Sequence, residues 1–236
     1  MKIYDLIIIG AGPAGMCAAI QASSLGITPL VIDENDHPGG RIYAQSKLIP
    51  ADSNLETEEK KNLLKQFSDC SKVFYTRTQV IGIFPDNLLL VTGKDGISKL
   101  KYKSLIIACG ARELSIPFPG WTLPGVVTSG CVQTLLKTQG LFPEKIVVAG
   151  TGPLQLILAD QIIKKGGQVL ALVDTGSFKS WLKAGLALLN DWQLAKQMAS
   201  CLLTLIKHRV PIFLQSLVSS AQGIDSLETI VITNIK

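Results

Sequence analysis

Two glycine clusters define the chemistry open to this chain. The first, Gly10-Ala11-Gly12-Pro13-Ala14-Gly15, follows the apolar run Leu6–Ile9 and opens an alanine-rich stretch. Gly10 permits a sharp strand-to-helix turn, Gly12 lets a pyrophosphate approach the backbone, and Gly15 lets the helix pack closely on the strand. Pro13 suits the first helical turn, where a missing N–H is no loss. The helix start then turns free N–H groups and partial positive charge toward phosphate oxygens. The next apolar run, Leu30-Val31-Ile32, ends in Asp33 and Glu34. Asp33 follows Gly15 at close to the offset of about 20 residues expected of an acid that binds a ribose hydroxyl. A glycine turn needed only for packing is the competing reading. The strand before it, the helix after it and the acid on schedule favour dinucleotide binding.

The second cluster echoes the first. Lys145–Ala149 leads into Gly150-Thr151-Gly152-Pro153, then the helix-length segment Leu154–Lys165, then Val169–Asp174. Here Gln155 takes the third glycine's place, which predicts a helix sitting further from its strand. Asp174 favours a free 2′-hydroxyl over a 2′-phosphate, and no arginine follows to read a phosphate. Gly150, Gly152 and Asp174 are thus candidates for a second nucleotide site, with a degenerate, empty turn as the alternative.

These turns need elements to hold them. Each cluster sits between short continuous apolar runs of the kind that form buried parallel strands, so each is read as a βαβ unit. Between them, Asn54–Ser68 is polar and helix-favouring, and Val73–Thr76 reads as a third parallel strand. Thr78–Phe84, Leu88–Thr92 and Ser98–Tyr102 read as a small antiparallel meander, and Leu105–Cys109 as a separate buried strand. The Pro- and Gly-rich stretch Pro117–Gly125 is the natural crossing between the halves. A helix near Ser129–Gln139, a long apolar region at helical spacing over Trp181–His208, and strands at Pro211–Leu214, Leu217–Ser220 and Thr229–Thr233 complete the pattern. The fold class expected is α/β: two tandem Rossmann-like three-layer dinucleotide-binding domains with small antiparallel meanders, over residues 1–116 and 117–236.

Composition removes several function classes. Of the 236 residues, 47% are hydrophobic and 17% charged, which supplies a core and argues against disorder. The net charge of +5 is spread along the chain, so a basic nucleic-acid stripe is not suggested. No apolar run approaches the ~18 residues of a membrane span, and Asp5 interrupts any signal-like start. The 5 cysteines contain no CxxC, which leaves neither a zinc knuckle nor a redox dithiol and fits a reducing cytoplasm.

Three further stretches carry a family resemblance: Pro38-Gly39-Gly40-Arg41-Ile42-Tyr43, Ile106-Ile107-Ala108-Cys109-Gly110-Ala111-Arg112-Glu113, and Phe118-Pro119-Gly120-Trp121-Thr122-Leu123-Pro124-Gly125-Val126. With the glycine turns, they make the chain resemble the nucleotide-binding subunits of opine oxidases and of hydrogen cyanide synthase. It is similar also to the alpha subunits of dye-linked proline dehydrogenases and, more distantly, of sarcosine oxidases, all within the pyridine nucleotide-disulphide oxidoreductase-like flavoproteins. The resemblance implies FAD in the first domain, and NAD or another adenine nucleotide in the second. It implies FAD contacts at Gly10, Gly12, Pro13, Ala14, Gly15, Asp33 and Glu34, with Gly39, Gly40 and Arg41 running beneath the flavin. It places the Val80 backbone against the adenine, and the Ala108-Cys109-Gly110 turn over the cofactor. Arg41 stands where relatives commonly have glutamine, and Cys109 where they have threonine. Relatives also continue into a segment that returns to the first domain, so the resemblance implies a chain lacking that C-terminal part.

The remaining reactive residues form no catalytic set. Cys109 and Cys131 have no neighbouring thiol and read as packing residues. His37 lies beside Pro38, and His208 ends a basic helix. Trp121 reads as interdomain packing and Leu182–Leu205 as a core helix or subunit-binding face. No metal site is expected, and the catalytic residues are unknown. By resemblance, the chain is an electron-transferring FAD-dependent subunit whose partner, a second flavoprotein subunit, carries an amine, amino-acid or opine site. A standalone NAD(P)H-dependent flavoprotein reductase and a non-catalytic nucleotide-binding remnant are the alternatives.

Overall fold

The computed structural model describes residues 2–44, 58–187 and 191–235. The chain divides into two compact units, one of residues 1–112 with 137–140, the other of residues 113–136 with 141–236.

The first unit is built on β1 (Ile3–Ile9), α1 (Pro13–Ser24), β2 (Leu30–Ile32), α2 (Glu58–Asp69), β3 (Val73–Tyr75), β4 (Gln79–Phe84), β5 (Leu88–Gly93) and β6 (Gly96–Ile107). Its sheet runs in the order β3-β2-β1-β6-β5-β4. The first four strands are parallel and the last two are added antiparallel. Alternation along β1 covers both faces. Leu6 and Ile8 pack with Met16, Ala19 and Ala22 of α1 and with Phe67 of α2. Ile7 and Ile9 pack with Leu30, Leu89, Val91 and Leu100. Burying each such large side chain is worth about 1.5–3 kcal/mol, so β1 is the axis of this unit.

One element differs from the sequence expectation. The two strands expected at Ser98–Tyr102 and Leu105–Cys109 are a single 12-residue strand, β6. Its first half pairs antiparallel with β5 and its second half parallel with β1. Lys103 looks like an interruption in an apolar pattern, yet it lies at the solvent face and its ammonium pairs with Asp5 on β1 at 2.7 Å. The meander and the parallel sheet are therefore one continuous sheet. The α2 helix begins at Glu58, and the part of the expected helix over 54–57 lies outside the described residues.

The second unit contains α3 (Ser129–Gln139, through residue 136), β7 (Lys145–Gly150), α4 (Pro153–Lys164), β8 (Gln168–Asp174), α5 (Phe178–Ala187), α6 (Trp192–Lys207), β9 (Ile212–Phe213), β10 (Ser216–Gln222) and β11 (Thr229–Asn234). β7, β8 and β9 form a parallel sheet, and β10 and β11 an antiparallel hairpin. The core joins Val148, Leu172, Leu158 and Ile162 to Met198, Cys201 and Leu205 of α6. The apolar region at helical spacing is thus two helices. Asp191 separates them, because its carboxylate accepts the Leu194 N–H at 3.0 Å and caps α6. The Pro117–Gly125 stretch packs on the hairpin: the Ala221 N–H donates to the Pro119 carbonyl, and the Leu227 N–H to the Pro124 carbonyl, both at 2.8 Å. Among the described residues, no helix is long and apolar enough to cross a membrane.

Candidate functional site

The first glycine turn sorts its glycines into two kinds. Gly10 has φ +100°, and a Cβ there would stand 2.4 Å from the Ala108 carbonyl oxygen. A Cβ on Gly15 would stand 1.8 Å from the Gly10 carbonyl oxygen. The fold itself forbids side chains at both. Gly12 is different. Its φ of −72° is open to any residue, and among the described residues the nearest atom to a Cβ would be the Gly40 Cα at 4.0 Å. The protein therefore leaves space at Gly12 that this packing does not need. Gly12 is also the N-cap of α1, has no side-chain capping bond, and is followed by Pro13. Ala14 and Gly15 thus begin the helix with backbone donors that lack intrahelical partners. Space, donors and the helix dipole meet at one point, which suits an anion.

Other predicted residues gather around this turn. The Gly39 N–H donates to the Ala11 carbonyl at 2.8 Å, and a Cβ on Gly40 would come 3.0 Å from the Gly12 Cα. The Gly39–Gly40 turn is thus stacked on the glycine turn. Arg41 follows and is exposed. Lys137 reaches the Arg41 and Ile42 carbonyls at 3.5 Å, and burial, with Lys60 nearby, holds its pKa below the ordinary lysine value. On the other side, the Ala108 N–H donates to the Ile9 carbonyl at 2.8 Å, Cys109 is exposed, and Gly110 turns the chain at φ +70°.

Asp33 closes the rim. It is 7% exposed, and its Oδ2 accepts the Ala11 N–H at 2.6 Å. Its Oδ1 accepts the Asn35 backbone and side-chain N–H groups, each at 2.8 Å. Glu34 beside it is exposed. The Thr78 N–H donates to the Asp33 carbonyl at 3.0 Å, and half-buried Val80 follows Thr78 by two residues, on β4. Asp33, Gly39, Gly40 and Ala108 thus lie against residues of the first glycine turn.

The second turn is built differently. Gly150 and Gly152 have φ of +155° and +101°, and among the described residues a Cβ on either would meet nothing within 4 Å. Asp174 is only 1% exposed. Its Oδ1 accepts the Gly176 N–H at 2.5 Å, and its Oδ2 accepts both the Gln155 side-chain amide and the Trp181 indole N–H, the latter at 3.1 Å. The Thr151 and Thr175 hydroxyls are bonded to each other across the turn. Sequence reasoning placed Gln155 here but missed that its amide turns inward to the acid. It also missed Trp181, seven residues after Asp174 and one helical turn into α5. The pinning of Asp33 by Asn35 was legible in principle, since an Asp-x-Asn pair after a strand favours local side-chain bonding. The first turn fits the pyrophosphate and ribose of a dinucleotide, with open space at Gly12 as the deciding feature. At each turn the acid at the end of the second strand accepts three protein N–H groups, from Ala11 and Asn35 at Asp33 and from Gly176, Gln155 and Trp181 at Asp174.

Comparison with known proteins bears on the whole chain. A family model described as pyridine nucleotide-disulphide oxidoreductase matches residues 4–228. The chain is 37% identical over 186 residues to a subunit of the opine oxidase of Agrobacterium tumefaciens, covering 73% of this chain and 37% of that protein. It is 32% identical over 238 residues to the HcnB subunit of hydrogen cyanide synthase from Pseudomonas protegens, covering 96% of this chain and 50% of that one. The fold is similar to that of L-proline dehydrogenase from P. horikoshii, with a TM-score of 0.61 at 18% identity over 98% of this chain and 39% of that one. The chain thus spans half or less of the length of these relatives.

Proposed function

Since the chain belongs to the pyridine nucleotide-disulphide oxidoreductase family, with subunits of opine oxidase and hydrogen cyanide synthase among its relatives, we propose that it is an FAD-dependent subunit of an oxidoreductase complex acting on an amine, amino acid or opine. The reading takes residues 1–116 and 117–236 as tandem Rossmann-like dinucleotide-binding domains and a cytoplasmic setting, the latter in keeping with cysteines that are all free. One observation carries it: Gly12 leaves space over the N-terminus of α1 while Gly10, Gly15 and Gly40 are held in tight contact around it.

FAD, when bound, supplies the electron-accepting chemistry. The chain's own residues bind and orient it. The Ala14 and Gly15 N–H groups and the α1 dipole hold the pyrophosphate, and Gly12 allows its approach. Asp33, fixed by Ala11 and Asn35, is set to accept from a ribose hydroxyl. Gly39 and Gly40 keep side chains out of the path beneath the flavin, and Ala108, Cys109 and Gly110 wall the far side. Arg41 and Lys137 add positive charge on the Gly39–Gly40 side, which favours an anionic ligand. The substrate site is assigned to a second flavoprotein subunit.

The test is reconstitution of the chain with a flavoprotein subunit encoded beside it. Substrate-dependent dye reduction should require both chains and fall in a Gly12→Ala variant. Activity that persists unchanged in that variant would refute the assignment. Rapid flavin reduction by NADH with no partner would replace it with the standalone reductase.

A further inference from the structure

We propose that the outer face of α6 is a contact between two copies of this chain, on which the same helix of a second copy packs antiparallel about Ala199. The helix has two faces. Met198, Cys201 and Leu205 are buried in the core of the second unit. On the far side of the helix, Trp192, Lys196, Ala199, Leu203 and Ile206 are all exposed. They recur at alternating steps of four and three residues, the spacing at which helices pair side by side. Trp192, Leu203 and Ile206 are 76%, 66% and 68% exposed, and among the described residues no other helix carries more than one large apolar side chain so open. Scattered apolar side chains on a surface need no partner, but a stripe along one helix marks a contact.

The occupant is read from the symmetry of the stripe. A two-fold contact uses the same surface twice, so positions equally far from the axis face each other. Trp192 and Ile206 stand seven residues to either side of Ala199, and Asp191 and Lys207 eight. With the axis at Ala199, Trp192 meets the second copy's Ile206, and the second copy's Trp192 meets Ile206. Lys196 and Leu203 stand three and four residues from the axis, so the lysine stem lies along the second copy's Leu203 while its ammonium stays in water. The small Ala199 at the centre lets the two backbones approach. The ends are complementary as well: the acid that caps α6, Asp191, faces the second copy's Lys207, and antiparallel helices oppose their dipoles. Parallel packing would set Asp191 against Asp191 and Lys207 against Lys207. A partner of different sequence would require no such balance about one residue. One helix face is smaller than the roughly 800 Å² per partner of a standard interface, so the pair is reversible rather than permanent. The contact makes no use of the flavin turn in the first unit.

The test is sedimentation velocity of the full chain over a concentration series reaching about 100 μM, with flavin content followed separately by visible absorbance. The wild type should pass from monomer to dimer as concentration rises. Leu203→Lys sets two ammonium groups together across the axis and should weaken dimerisation at least roughly tenfold, whereas Lys196→Leu should strengthen it. Lysine and leucine have similar helix propensities, so both variants keep the fold, which circular dichroism checks. Register is read by a short bismaleimide: Ala199→Cys should give covalent dimer well above the wild-type background, and Gln193→Cys, on another face of α6, should not. A chain that stays monomeric throughout the series overturns the proposal. So does a dimer that Leu203→Lys leaves unchanged, or one that Gln193→Cys links as readily as Ala199→Cys. A chain that is monomeric alone but binds a flavoprotein subunit, and loses it in Leu203→Lys, gives the face to that subunit and overturns the proposal too.

Discussion

Gly12 and Gly15 sit three residues apart on one turn, and alanine at each should fail in a different way. At Gly15 the new Cβ would lie 1.8 Å from the Gly10 carbonyl oxygen, a backbone atom that cannot rotate away. Restoring ordinary contact requires α1 to retreat by more than 1 Å, roughly the difference from a normal carbon–oxygen separation. That movement loosens Met16, Ala19 and Ala22, all buried against β1 and β2. Overpacking of this kind costs about 1–3 kcal/mol. At about 4 °C per kcal/mol for a unit of this size, Gly15→Ala should lower Tm by about 4–12 °C. At Gly12 the new methyl group meets no atom of the described residues nearer than 4.0 Å, and φ −72° suits alanine. The reduced chain entropy and the poorer N-cap oppose each other, so stability should change by less than about 1 kcal/mol. The methyl group does occupy the space where a phosphate would lie. Loss of one charge-assisted bond of about 1.5–3 kcal/mol weakens FAD about 10- to 150-fold. Thermal unfolding of the apoprotein and FAD titration by flavin fluorescence read the two effects apart. A Gly12→Ala chain that binds FAD as the wild type does would refute the reasoning, as would a Gly15→Ala chain with unaltered Tm.

Other outcomes follow from the same geometry. Burial and the Tyr75 hydroxyl, 3.1 Å away, push the Tyr4 phenol up from 10.0 to about 12. Its protonated form favours the fold, so this stability is complete below pH 10 and lost as pH rises through 12. Tyr4→Phe should flatten that part of the pH–stability curve, and an unchanged alkaline slope would contradict it. Asp33→Ala strands the Ala11 N–H and both Asn35 donors and should cost about 1–3 kcal/mol in denaturant unfolding besides weakening FAD. Burial and the nearby Asp160 carboxylate raise the Cys201 thiol pKa, whereas Cys17, Cys109 and Cys131 are exposed. Alkylation of the native protein, read by mass spectrometry, should therefore label those three and spare Cys201 until denaturant is added.

How far the sequence could be read depended on whether a feature was local. The β1–turn–α1 unit was legible because glycine spacing, a following proline and an apolar run each encode backbone geometry directly. The helix at Ser129–Gln139 and the parallel strand at Val73 were legible for similar reasons. The continuity of β6 was not, since it rests on pairing with β5 along its first half and with β1 along its second, which brings Lys103 opposite Asp5. The break between α5 and α6 was hidden within a continuous apolar period, although Asp191 is a capping residue type. The stacking of Gly39–Gly40 on Gly12 joins residues far apart in the chain; the resemblance placed these two glycines beneath the flavin but did not give that contact. The engagement of Asp174 was the least legible. Glutamine in place of glycine signals a departure from the motif, but the direction of its amide and the arrival of Trp181 depend on where α5 begins.

The central claim is that the first glycine turn holds FAD, and the most direct measurement is the nucleotide retained by the purified chain. The visible spectrum should show flavin absorbance, and denaturation should release FAD in near-equimolar amount, falling sharply in Gly12→Ala purified alongside. A colourless chain that neither retains FAD nor takes it up on addition, alone or with its partner subunit, would contradict the account.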